Sequence, residues 1–144
     1  GTDHCSFTLA QKNKCDYSDV PNGIPGVMYR PSIMLSEGLL GGRCSIEKLV
    51  KLMSYNPAKL YGLTDRGEIK VGAFADMTIW SKESEHVLTD TNHAHNCDYS
   101  PYAGLTVRGT IRDVILNGRH VADGGELLVS GSGHYIARDE YTDL

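Results

Sequence analysis

The sequence predicts an α/β chain in two blocks, the end of one domain followed by part of a second. Three observations predict it. The chain opens on Gly1-Thr2-Asp3-His4-Cys5-Ser6-Phe7, a run that reads as a strand end whose carboxylate faces a site. Apolar residues at helical spacing then run as far as Gly62. From Leu63 the spacing changes to two, and Asn117-Gly118 marks a hairpin.

Each element follows from local chemistry. In a strand, Asp3 and His4 point to opposite faces. In a barrel of parallel strands, polar residues at the C-terminal strand ends are where catalytic groups gather. Residues 8–30 are polar and irregular, and Val20-Pro21-Asn22-Gly23-Ile24-Pro25-Gly26 fixes a non-helical path suited to substrate contacts. Pro31 opens a helix that reaches Leu40 and stops at Gly41-Gly42. Ser45 caps a second helix, whose Ile46, Leu49, Val50 and Met53 form a packing stripe opposite Glu47, Lys48, Lys51 and Ser54. Glu47 and Lys51 stand at the spacing of a weak ion pair. Asn56-Pro57 starts a short third helix, Ala58 to Tyr61, closed by Gly62. Glu68 to Val71 alternates as a strand, Asp76 to Trp80 as another, and Ile111 to Leu116 turns at Asn117-Gly118 into Arg119-His120-Val121. Residues 63–129 therefore form a small antiparallel module, and 130–144 a tail with Tyr135 and Ile136 as anchors on a neighbouring surface.

Composition narrows the function classes. Fourteen Lys and Arg against eighteen Asp and Glu give a net charge of −4, with no basic run longer than two residues. That argues against nucleic acid and against an anionic membrane surface as partners. No apolar stretch approaches the roughly 18–20 residues of a membrane span. The start resembles neither a signal nor a transit peptide and lacks an initiator Met, as in a cut chain. Cys5, Cys15, Cys44 and Cys97 include no Cys-x-x-Cys pair, and the expectation is reduced thiols in a cytoplasmic protein.

Few constellations carry chemistry. Asp3 is a metal-ligand and catalytic candidate, although a lone Asp at a strand end is more often a cap or ion-pair partner. A catalytic zinc takes about three protein ligands plus water. His93-x-His95, with Cys97 and Asp98 after it, is the densest ligand cluster, and strand spacing puts both imidazoles on one face. Without a third ligand such a pair is usually a surface feature. Gly131-x-Gly133 is not followed by a helix pattern, and no Gly-x-Ser-x-Gly elbow is present.

Several motifs in order resemble one family. Gly1-Thr2-Asp3-His4-Cys5-Ser6-Phe7 with Gln11-Lys12, Val20-Pro21-Asn22-Gly23, and Asn56-Pro57-Ala58-Lys59-Leu60-Tyr61-Gly62-Leu63 are similar to the dihydropyrimidinase/D-hydantoinase group of cyclic amidohydrolases. So are Gly67-Glu68-Ile69-Lys70-Val71-Gly72-Ala73-Phe74-Ala75-Asp76, Asp98-Tyr99-Ser100-Pro101-Tyr102-Ala103-Gly104, and Gly131-Ser132-Gly133-His134-Tyr135-Ile136-Ala137-Arg138. The 67–76 signature alone is shared by many amidohydrolases; the colinear set covers nearly the whole chain.

The resemblance implies a C-terminal portion. Residues 1–62 would close a (β/α)8 TIM barrel, with the end of its eighth strand, a substrate loop and C-terminal helices, and 63–129 would be strands of a flanking β-sandwich. It implies a small cyclic ureide or amide as substrate and two divalent metals, usually zinc, held by a His-x-His pair, a carboxylated lysine, two further histidines and the strand-8 aspartate. Asp3 matches that aspartate. The other ligands would lie upstream, so this chain alone is expected to be inactive. Asn22 matches the loop residue whose backbone contacts the substrate's cyclic amide. A homotetramer is expected, with 130–144 as an oligomer contact. Two other readings compete: an inactive dihydropyrimidinase-like scaffold, which typically lacks the aspartate and the Asn22 match, and a self-standing assembly module.

Overall fold

The computed structural model describes residues 1–90 and 94–139. Thr8 starts a one-turn helix, α1 (Leu9–Lys12), by a reciprocal cap. Its hydroxyl accepts from Gln11 N, while Gln11 Oε1 accepts from Thr8 N at 2.8 Å. Helix α2 is α-helical over Arg30–Ile33 and π-helical over Met34–Leu40, where Gly41 N reaches back five residues to Ser36 O at 2.8 Å. Helix α3 follows its Ser45 cap as α over Ile46–Val50, π over Lys51–Tyr55 and α again over Asn56–Leu60.

Asn56-Pro57 therefore does not start a separate helix. Pro57 has no N–H to return to residue 53, and the chain widens into the π stretch before it instead of breaking. The packing stripe is also narrower than its spacing suggests. Leu49 is 2% exposed, but Ile46 and Val50 are about half exposed and line an open groove with Tyr55 and Gly67. Glu47 is held by the Ser45 hydroxyl, which keeps its carboxyl below the usual range.

The sheet is an antiparallel meander in chain order: β1 (Met77–Val87), β2 (Thr106–Leu116), β3 (Arg119–Asp123) and β4 (Glu126–Leu127). Asn117 and Gly118 both have positive φ, 51° and 76°, so the β2–β3 hairpin forms as its dipeptide dictates. Strand β1 slips against β2 between Ser81 and Glu85. There Gly109 (φ +81°) passes so close to α2 that a Cβ would lie 2.5 Å from Leu35 Cδ2. Ser36, 1% exposed, accepts a hydrogen bond from Arg108 N at 3.0 Å, and the Arg108 guanidinium donates to Leu40 O at 2.8 Å. Helix α2 is thus docked on the sheet by polar bonds beside the apolar cluster of Tyr29, Leu88 and Val107.

Two further expectations are corrected. Residues 1–7 form no strand among the described residues; His4 makes one isolated parallel bridge with Ile24, and Asp3 has φ +46°. Glu68–Val71 is not a strand either. It has no partner there, its turn closes through Ala73 N to Lys70 O, and Ile69 and Val71 are almost fully exposed. The loop is instead pinned to the hairpin. The Arg66 guanidinium pairs with Asp76 and lies 4.2 Å from the Phe74 ring centre, and Asp76 Oδ1 accepts from Asn117 N at 2.7 Å. Tyr135 is 89% exposed and Ile136 half-buried. The tail is held at Asp139, whose N–H reaches Gly62 O at 2.9 Å and whose carboxylate accepts from Thr64 at 2.7 Å.

Candidate functional site

The structure lays the two sequence candidates on neighbouring backbones. The bridge His4↔Ile24 runs the Asp3 segment beside the Asn22 loop, and Cys5 N donates to Ile24 O at 3.2 Å. A Cβ at Gly23 (φ +86°) would sit 2.3 Å from Cys5 Sγ and 3.5 Å from Asp3 O, so only glycine permits this approach. Asp3 and Asn22 are both exposed.

The His4 ring turns to the backbone of Gly26 and Val27. Its Nδ1 accepts from Gly26 N at 3.0 Å and from Val27 N at 3.4 Å. That assigns the proton of the neutral ring to Nε2, which faces Ser6 Oγ at 3.0 Å. Beneath it, the His95 ring meets His4 edge-on at 5.7 Å and Tyr29 at 6.2 Å. Tyr29 donates to Thr89 O at 3.1 Å, and burial together with the Asp90 charge pushes its phenol up. Both ring nitrogens of His4 are thus engaged with the protein itself, tying the Asp3 segment to Gly26 and Val27.

Lys12 completes the arrangement. Its ammonium donates to the carbonyls of Pro21 and Gly23, the residues on either side of Asn22, and stands 5.5 Å from the Phe7 ring centre. Sequence reasoning placed Lys12 in a motif but gave it no role. The Thr8-x-x-Gln11 capping box was the available signal, since it fixes the turn from which Lys12 projects.

The other ligand candidates do not assemble. His93 lies outside the described residues, and His95 is buried rather than on a surface face. Cys97 is buried against His95 O, and Asp98 serves as an acceptor for Leu9 N at 2.7 Å. No group of three or more His, Cys, Asp or Glu able to hold a metal occurs among the described residues. All four cysteines are thiols. An exposed carboxylate fits one ligand position; the donors among the described residues do not make a complete metal site.

Comparison with known proteins supplies the context. The profile described as "Amidohydrolase family" matches residues 1–121. The chain belongs to the amidohydrolase family. Over 97% of its length it is 34% identical to D-phenylhydantoinase of Escherichia coli, of which it covers 32%. D-Hydantoinase from Bacillus sp. AR9 superposes with a TM-score of 0.92 at 34% identity, over 99% of this chain and 32% of that one. Dihydropyrimidinase from Brevibacillus agri superposes with a TM-score of 0.94 at 31% identity, over 100% and 32%. This amidohydrolase chain thus spans about a third of the length of the curated relatives it matches, and resembles the hydantoinase/dihydropyrimidinase group within its family. No helix among the described residues is long and apolar enough to cross a membrane.

Proposed function

We propose that the chain is the C-terminal portion of a metal-dependent cyclic amidohydrolase that opens dihydropyrimidine or hydantoin rings to N-carbamoyl amino acids. The reading rests on one observation: the Asp3 segment and the Asn22 loop are bridged side by side, with both residues exposed. In this reading residues 1–62 close a (β/α)8 barrel, 63–129 belong to a flanking β-sandwich, and 130–144 form a tail contact in a homotetramer. The protein would work in the cytoplasm.

Two divalent cations, zinc in the first instance, would lower the pKa of a water and polarise the ring carbonyl. Asp3 is the one ligand this chain offers. Its carboxylate takes the proton of the attacking water and passes it to the departing ring nitrogen. The leaving group is thereby neutral and the carboxylate is regenerated. Asn22 binds through its backbone. A cyclic ureide presents N–H and C=O side by side, and a peptide group offers their complements. Among the described residues neither the N–H nor the C=O of Asn22 makes a hydrogen bond of its own.

Hydrolysis of dihydrouracil and hydantoin by the zinc-loaded full-length protein tests this. Asp3→Asn is expected to lower kcat by at least about 100-fold, the span of a positioned general base. Turnover equal to the parent's would sink the assignment of Asp3. A parent that leaves both rings intact would favour a non-catalytic, scaffold-like role.

A further inference from the structure

We propose that Lys12 is a positioning residue for the substrate loop, holding the Pro21 and Gly23 carbonyls so that the Asn22 peptide groups between them stay turned toward the ring. The inference rests on the substrate role of Asn22 proposed above. Its own support is geometric. One ammonium donates to both carbonyls that flank Asn22, and to no carboxylate among the described residues. No peptide bond in the described chain is cis, so the Asn22 N–H points opposite to the Pro21 carbonyl and away from Lys12. The clamp consumes the carbonyls on either side and leaves the groups of Asn22 itself unbonded.

The residue type suits the task. An ammonium carries three donors on a flexible stem, enough to satisfy two carbonyls while standing 5.5 Å from the Phe7 ring centre. The stem starts from a helix of four residues, fixed at its first turn by the Thr8–Gln11 cap and by Asp98. The far wall of the loop is fixed separately, by Cys5 against Gly23 and by His4 Nδ1 at Gly26. Lys12 therefore closes the near side of a loop whose other side is already held. Loss of a charge-assisted bond in such a place loosens the loop without removing a reacting group.

The test uses Lys12→Met, which keeps the stem, and Lys12→Arg, which keeps the charge, in the zinc-loaded full-length protein. With dihydrouracil and hydantoin, Lys12→Met is expected to raise KM about tenfold, the equivalent of one such bond. Its kcat should stay within about threefold of the parent value, because uniform binding and not the chemical step is affected. Lys12→Arg should recover most of the loss. Amide exchange of Lys12→Met should quicken at Cys5 and over residues 20–26, and stay unchanged in β1 to β3.

Faster loop exchange with unchanged KM would overturn the positioning role while leaving the hydrolase reading intact. So would a kcat loss at constant KM, which would place Lys12 at the chemical step, or faster exchange throughout the sheet, which would make it a residue of global stability. A parent inactive on both rings removes the hydrolase reading and this inference together, and is recognised by the parent's own failure.

Discussion

The segment 1–26 and the four-stranded sheet are both held by hydrogen bonds, but bonds of different kinds. In the sheet, ladders between strands of up to 11 residues repeat the same backbone pairing, so each bond is backed by its neighbours. In 1–26 there is a single parallel bridge, and the path is set by individual side chains: Lys12 on two carbonyls, His4 on two amides, Thr8 on a helix start. Regular pairing distributes the cost of a change. Side-chain bonding concentrates it on few residues, yet it lets the backbone groups of Asn22 remain unbonded, which a ladder would not. If Asn22 binds a ligand through its peptide groups, as proposed, those groups cannot also be spent on a ladder.

Two glycines give that contrast its largest expected effects. Gly109 lies in β2 with φ +81°, and a Cβ there would be 2.5 Å from Leu35 Cδ2 and 2.9 Å from Ser81 O. Gly109→Ala combines left-handed strain with overpacking and is expected to cost about 3 kcal/mol. It should appear as a lower urea midpoint for the unfolding of the whole sheet. Gly23→Ala meets a comparable clash, but against Cys5, a short side chain in a region with few neighbours. Its effect should stay local: faster exchange over 1–26, a raised KM, and partial recovery when Cys5→Gly removes the opposing atoms. Equal global destabilisation by both changes, without recovery, would erase the distinction between the two regions.

The same contrast decides what could be read from the sequence. The hairpin at Asn117-Gly118 was legible because a dipeptide specifies positive φ at both positions and the flanks alternate. Glu68–Val71 alternates as well, yet it forms a turn. Period two records a preference for a pleated surface, and a partner must be present to realise it. The Gly67 and Gly72 backbones, at φ +88° and +91°, turn the chain back before any ladder forms. At the site, the exposure of Asp3 and the prolines around Asn22 were visible as pattern. The bond from Lys12 to residues 9 and 11 positions later was not, since nothing in local spacing marks which carbonyls an ammonium will reach. His95 was misjudged for a related reason: its burial depends on His4, 91 positions away in sequence, and on Tyr29.

A medium effect sharpens the boundary between the regions. Ser36 is a side-chain bond inside the sheet's territory, accepting from Arg108 N next to the point where β1 slips against β2. Ser36→Ala leaves that half-buried amide without this acceptor, and is expected to cost about 1 kcal/mol. The loss should show in urea unfolding with an unchanged slope, together with faster exchange at Arg108. If Ser36→Ala is neutral, α2 is held to the sheet by its apolar contacts and the Arg108–Leu40 bond.

The smallest effect concerns charge on the sheet's surface. The hydrogen bond from Arg112 Nε, at 2.6 Å, holds the Asp113 carboxyl below its ordinary range, with the charges of Arg112 and His120 assisting and burial opposing. A carboxylate whose folded pKa is depressed adds stability above its unfolded pKa of about 3.9, and loses it as pH falls through the folded value. Asp113→Asn should therefore be slightly less stable than the parent at pH 7, and the two unfolding curves should converge as the pH is lowered below about 4. Added salt should narrow the pH 7 gap, because both partners are near the surface and their attraction is screened. A gap that persists unchanged at low pH would mean that Asp113 contributes through its shape in β2 and not through its charge.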